Sequence, residues 1–391
     1  MLHARGTPMA VLAFCVGTAY WPGIFSGSSM PKWWAMAIGL AIIPWGFRSL
    51  DPVIAACAAS GVLIAALSLL ITPHLYGGIL QLIFMVLLCG MAVGAAALRD
   101  VGPVIAALSW GVSISVAASV LQYFGWQIVP HAGLAGFYLN SEVLAEIAAP
   151  LFIWAFWSQR WALSGIMATA VLLCQSRIAV FVIGCGLLFG WRAPRAVKLT
   201  CVAALMAAGI TAVLFIGAEK YLTGMTRVMY WGAAMLSIVP GGRGLAWWAA
   251  AHPFPMEEFV HSDVLQSMLE LGLGSVFFLA IPVMVLRRSG GLAERAAYIG
   301  VCAEAVFSFP MHLPATGFLA AVLTGYLARR RAGVRRAGFE SGMEGRSTAR
   351  WSEALARGLD WWDGLSGGDV PARPAYPEHA SDHSAARKGA A

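Results

Sequence analysis

What most constrains this chain is a succession of apolar runs, too many and too long for the core of a soluble domain. They fall at about 8–24, 33–47, 52–72, 76–98, 102–125, 142–157, 161–175, 177–191, 196–217, 264–286, 293–309 and 313–328. In hydrocarbon a lone segment has to satisfy its own backbone hydrogen bonds, so runs near 20 residues read as transmembrane helices. Charged residues make up 12% of the chain and mean hydropathy is +0.74, where a soluble domain carries about 25% charge. The expected fold is an all-α polytopic membrane protein of about twelve transmembrane helices over residues 1–328.

Tryptophans at the ends of these runs (Trp21, Trp33, Trp34, Trp126, Trp157, Trp161 and Trp191) fit the aromatic belts of a bilayer interface. The seven cysteines all lie inside apolar runs, without a CxxC spacing, and read as small core residues. The opening "MLHARGTPMAVLAFCVGTAYW" has the look of a signal peptide, but further apolar runs follow at once, so an uncleaved first helix is expected.

The net charge of +7 is explained by topology and gives no reason to expect nucleic acid as a partner. With the N-terminus in the cytoplasm, Arg48, Arg99, Arg160, the "WRAPRAVK" loop, Arg287, Arg288 and the "RRRAGVRR" run all fall on the cytoplasmic side. The C-terminus is then cytoplasmic as well, as part of a basic tail over 329–391 that becomes rich in Gly, Ala, Ser and Pro and cannot bury a core.

The opposite, external side receives the two longest connections, "WQIVPHAGLAGFYLNSE" and the loop 218–263 between helices 9 and 10. Its few basic residues are Lys32, Arg177, Lys220, Arg227 and Arg243. Within the loop, Val228, Trp231, Met235 and Ile238 recur at helical spacing, which predicts an amphipathic helix on the membrane surface, ended by "VPGGRG".

Four polar features gather on that side. Asn140 and Ser141 precede a span whose Glu142 and Glu146 share a helical face, and Gln175, Ser176 and Arg177 form a tight turn between spans. Arg227 lies on the loop helix, and His261, Ser262 and Asp263 open the span that carries Glu270. Read singly, Asn140, Ser141, Ser262 and Asp263 are good helix caps, Arg177 suits an interfacial snorkel, and Arg227 suits a solvated helix face. Read jointly, two arginines, a histidine and a helix N-terminus suit a diphosphate with a proton acceptor beside it. The imidazole is suited to be that base, since a helix N-terminus disfavours its cationic form. No DxD, HExxH, Cys/His cluster or P-loop is present, so no metal and no cofactor is expected.

In order and spacing, "GFYLNSEVLAE", "QSRIAV", "TRVMYWGAAMLSIVPGGRG", "HSDVLQSMLELGLGSVFFLAI" and "FSFPMHLPATGFLAAVLTGYLA" resemble the O-antigen ligase and O-antigen polymerase superfamily of bacterial inner-membrane glycosyltransferases. The likeness spans roughly residues 130–328, with Ser262 standing where asparagine is common. It implies a metal-independent transferase of the inner membrane that takes a glycan from an undecaprenyl-diphosphate-linked donor. The acceptor would be a hydroxyl at the periplasmic face, lipid A core foremost, with a growing polysaccharide or a protein as alternatives. Under the resemblance Arg177 and Arg227 match the diphosphate-binding arginines and His261 the histidine that activates the acceptor. Asn140, Glu146, Gln175, Ser176, Ser262, Asp263 and Glu270 would support them. Outside this class, a secondary transporter using Glu146, Glu270 and Glu304 is the competing expectation.

Overall fold

The computed structural model describes residues 6–21, 29–43, 45–126, 134–138, 140–191, 200, 218–251, 260–288 and 290–329, with backbone alone for 218–225 and 251. The expected ninth span at 196–217, the "WRAPRAVK" loop after Trp191, residues 252–259 of the long loop and the tail beyond Arg329 lie outside the described residues.

The described residues are helical apart from turns and an isolated bridge between Leu50 and Arg329. The helices are α1 (Thr7–Thr18), α2 (Met30–Gly39), α3 (Pro52–Ser68), α4 (Leu75–Ala96), α5 (Gly102–Tyr123), α6 (Ser141–Trp157), α7 (Trp161–Cys174) and α8 (Arg177–Gly190). They continue with α9 (Ala218–Ser237), α10 (Trp247–Ala251), α11 (Asp263–Leu271), α12 (Val276–Leu286), α13 (Leu292–Phe307) and α14 (Pro314–Leu327). Short 3-10 turns at Gly272–Ser275 and Pro310–His312 link α11 to α12 and α13 to α14.

Every apolar run within the described residues contains a helix. Three stretches, Leu75–Ala96, Gly102–Tyr123 and Asp263–Leu286, are long and apolar enough to cross a membrane. The others are shorter, and local chemistry sets their ends. Asp51, Asn140, Ser176 and Ser262 each cap a helix by accepting a hydrogen bond from a backbone N–H of its first turn. Gln175, left-handed at φ 51°, ends α7, and α8 begins two residues later. The two helices have 14 residues each, about 21 Å of helix against a hydrocarbon core of roughly 30 Å.

At the centre stands α6, buried from Val143 to Ala155 except for the half-buried Phe152, and packed by α7, α8 and α13. A helix apolar around its whole circumference belongs in such a position. Beyond it α1 packs on α5, α4 on α14 and α3 on α12, and of these α5 and α14 also touch α6.

One end of the bundle is held by basic residues. Arg288 on the turn after α12 pairs with Asp51 at 2.6 Å, and Arg329 donates to the carbonyls of Leu98 and Arg99 at 2.7 and 2.8 Å. Toward the end where α1 finishes and α6 starts, the buried Lys32 donates to the carbonyls of Ala19 (2.7 Å) and Phe137 (3.1 Å) and lies over the Tyr138 ring. Lys32, one of the basic residues singled out on the external side, thus ties two connections together by capping their carbonyls.

The surface helix expected within 218–263 is α9, but its buried face is shifted from the expected stripe. Tyr230 and Ala234 are buried and Trp231 and Ile238 pack beside them, whereas Val228 and Met235 point outward at 55% and 57% exposure. The buried side meets α10 and α11 through Trp248, Leu269 and Leu265, and hydrophobic spacing does not distinguish that side from an outward apolar one.

Candidate active site

Consecutive short turns make α6, α7 and α8 run up, down and up, so the N-termini of α6 and α8 share one end of the bundle. Asn140, exposed, accepts from Val143 N–H at 2.9 Å, and Ser176, buried, accepts from Ala179 N–H at 3.3 Å. Both act as caps. Capping at Ser176 makes Arg177 the first residue of α8, half-buried at its N-terminus. Glu142 and Glu146 do not share one environment: Glu142 is 51% exposed, while Glu146 is buried a turn deeper.

Arg227, on α9, is joined to Glu142 by an ion pair of 2.6 Å. Its Nε is buried and has no hydrogen-bond partner among the described residues. Arg177 and Arg227 each stand one turn before an aromatic residue, Phe181 and Trp231 respectively, and both aromatics pack on Phe307 at the end of α13, with ring centroids 5.3 and 6.0 Å apart. Trp231 in turn donates its indole N–H to the His261 carbonyl at 3.3 Å. The two arginine-bearing turns and the histidine are thereby connected through one aromatic group.

His261 has φ 59°, a left-handed backbone that residues other than glycine adopt at a cost. Its ring lies parallel to Tyr230 at 6.2 Å and edge-on to Phe309 at 5.0 Å. Ser262 caps α11 by accepting from Leu265 N–H, and Asp263 is the first helical residue. That much is a helix start as the sequence reads it, but Asp263 does more. One carboxylate oxygen is 2.7 Å from His312 Nδ1, the other accepts from Met311 N–H at 2.8 Å, and its own N–H donates to the Ser308 carbonyl at 2.9 Å. Ser308 Oγ donates to Glu146 at 2.6 Å, so the α13–α14 turn bridges α6 and the start of α11.

His312 raises its pKa above the ordinary histidine value. Burial alone would lower it, but the hydrogen bond and negative charge of Asp263, with the charge of Glu270, outweigh burial. Ser308, Phe309 and His312 were missed by sequence reasoning. The available signal was a polar break, "SFPMHLP", between two apolar helices.

Glu270 sits at the far end of α11, where the helix breaks. Its carboxylate accepts from Ala246 N–H at 3.0 Å and from Gln266. The "PGGRG" segment fills the break: Arg243 and Gly244 donate to the carbonyls of Leu269 and Glu270 at 3.0 Å each, and Leu273 N–H donates to the Pro240 carbonyl at 2.9 Å. Backbone groups freed by the break are satisfied by this loop. Gly242 and Gly272, at φ 76° and 56°, approach so closely that a Cβ on Gly272 would lie 2.2 Å from the Pro240 carbonyl oxygen. Arg243 itself donates to the Ser237 carbonyl and lies over Trp247, a loop-bracing position.

Arg227, His261, Ser262, Asp263 and Glu146 thus belong to one connected group, with Arg177 joined through Phe181. Asn140, Gln175 and Ser176 set the helix ends that present it, and Glu270 braces the loop below. Among the described residues no group of three or more His, Cys, Asp or Glu side chains is arranged to hold a metal ion. No protein-family model matches the chain, and no curated protein matches it.

Proposed function

We propose that this chain is a bacterial inner-membrane glycosyltransferase of the O-antigen ligase type. It would move a glycan from an undecaprenyl-diphosphate-linked donor to a hydroxyl, lipid A core foremost, at the periplasmic face. The observation that carries the reading is the linkage of the Arg177 turn, the Arg227 turn and His261 through Phe307 and Trp231. About twelve spans with both termini in the cytoplasm complete the proposal.

In this reading the arginines hold the donor diphosphate by charge-assisted hydrogen bonds, and Arg227 exchanges the Glu142 carboxylate for a phosphate oxygen. The acceptor hydroxyl gives its proton to the His261 imidazole as its oxygen bonds to the anomeric carbon of the glycan. The bond from that carbon to the diphosphate breaks, and undecaprenyl diphosphate leaves with the bonding electrons. Its growing charge is met by two guanidinium groups fixed in advance, where such charge stabilisation counts most.

Purified full-length protein in liposomes, given the lipid-linked donor and rough lipopolysaccharide, should produce a glycan-extended lipopolysaccharide, and His261→Ala should not. Extension of a free glycan or of a protein in parallel reactions would reassign the acceptor to the polymerase or protein-directed branch. A secondary transporter draws on the buried Glu304, whose carboxyl oxygens have no hydrogen-bond partner among the described residues. Vesicle uptake of a free sugar without transfer to any acceptor would favour that alternative.

A further inference from the structure

The turn between α13 and α14 supplies one wall of the histidine site. Phe309 packs edge-on against the His261 ring, and the residues on both sides of it, Ser308 and Met311 with His312, are fastened to Asp263. Asp263 is two residues from His261, with the Ser262 cap between them. A left-handed histidine is strained, so its surroundings have to impose it. Those surroundings include Trp231 on its carbonyl, Tyr230 and Phe309 on its ring, and the Asp263 strap on the following turn.

We infer that His312 is a positioning residue: by pairing with Asp263 it clamps 308–312 onto the start of α11 and so holds His261 against Phe309 in its left-handed conformation. The inference rests on the proposed function only for the role of His261 in transfer; the clamp is a matter of structure.

The groups facing His312 define its pH behaviour. Asp263 and Glu270 approach from α11, Glu304 on α13 and Glu146 on α6 lie within electrostatic reach of Asp263, and α14 brings no charged side chain. Because the partners of His312 are acidic, its charged form is the paired one and its pKa is raised above 6.5. The charge-assisted part of the clamp is fully present below the ordinary histidine pKa and is lost as pH rises through the raised one, which leaves at most a neutral Nδ1–H bond to Asp263 and the backbone bonds of Met311 and Ser308.

The test follows His261 directly. Full-length protein in nanodiscs is treated briefly with diethylpyrocarbonate, and peptide mapping gives the modification rate of His261 relative to the exposed His74. That ratio should rise several-fold in His312→Gln and in Asp263→Asn, and in unaltered protein as pH rises through the His312 pKa. Transfer assayed in parallel should lose roughly a hundredfold in kcat, the scale of a small misplacement of a reacting group, while donor KM stays within about twofold.

An unchanged His261 to His74 ratio, in folded variants and across the pH series of the unaltered protein, overturns the inference. The pH series needs no substitution, so a variant that fails to fold does not remove the test. If the ratio behaves as expected and the unaltered protein transfers no glycan, the clamp stands and the glycosyltransferase reading falls.

Discussion

Arg227 and Glu142, 85 residues apart in the chain, meet at 2.6 Å with side-chain exposures of 17% and 51%. The arginine is mostly enclosed and the carboxylate is half in solvent, so the glutamate is the partner free to swing away. In the proposed reaction the half-exposed Glu142 would give way to a phosphate oxygen, so that the guanidinium would pass from one anionic partner to another.

If Glu142 competes with the donor, Glu142→Gln should lower donor KM several-fold and leave kcat within about twofold, the pattern of a change in ground-state binding. Initial rates over a donor series decide this. A raised donor KM would mean that Glu142 positions Arg227 for the donor and does not compete with it.

Arg177 and Arg227 should each require the planar fork of guanidinium as well as its charge. If both act on one diphosphate, Arg→Lys at either position should impair transfer, Arg→Ala should do so more, and the paired variants should be non-additive. Full activity in the Arg177→Lys, Arg227→Lys double variant would leave only an interfacial role for the two charges.

At position 261, backbone and side chain separate. His261→Ala and His261→Gly should both lose roughly a hundredfold or more in rate, as for removal of a general base. The glycine variant should melt higher, since φ 59° costs alanine about 1 kcal/mol more than glycine. Near-normal transfer by either variant would demote His261 to a helix-start residue.

Gly272→Ala should destabilise the protein by at least about 1–3 kcal/mol, because the residue pairs a positive φ with the close approach to Pro240. Gly232→Ala is the control: a Cβ there meets nothing within 4 Å in the interior of α9, and alanine should add about 0.5–1 kcal/mol. Thermal unfolding of both variants in detergent compares the two. Equal melting temperatures would mean that the loop does not lock the helix break.

Reporter fusions test the orientation. Those after Gly217 and within 240–255 should read periplasmic, and those after Arg288 and Arg331 cytoplasmic, because Arg288 and Arg329 cluster at the end of the bundle away from the His261 side. A cytoplasmic signal from 240–255 would take the site out of the periplasm and end the proposed chemistry.

Within the described residues the sequence by itself determined where the apolar helices lie and how several of them begin. Asn140 and Ser262 are caps because a short polar side chain before an apolar run satisfies an otherwise unpaired backbone N–H, and that is settled within four residues; Ser176, which the sequence places only in a tight turn, caps α8 in the same way. The break at Gly272 lies within reach of the same local reasoning, yet the run 264–286 reads as one span because only Gln266, Ser267, Glu270 and Ser275 interrupt its apolar residues.

What only the tertiary structure decided are the partnerships: Arg227 with Glu142, Asp263 with His312, Ser308 with Glu146, and Phe307 between Phe181 and Trp231. These residues are 49 to 162 positions apart in the three polar pairs, a separation at which helical periodicity carries no information. The shifted face of α9 has a related cause. In a membrane protein an apolar side chain is equally at home against lipid and against another helix, so hydrophobic spacing marks both surfaces, and only packing shows that Tyr230 and Ala234 point inward while Val228 and Met235 point out.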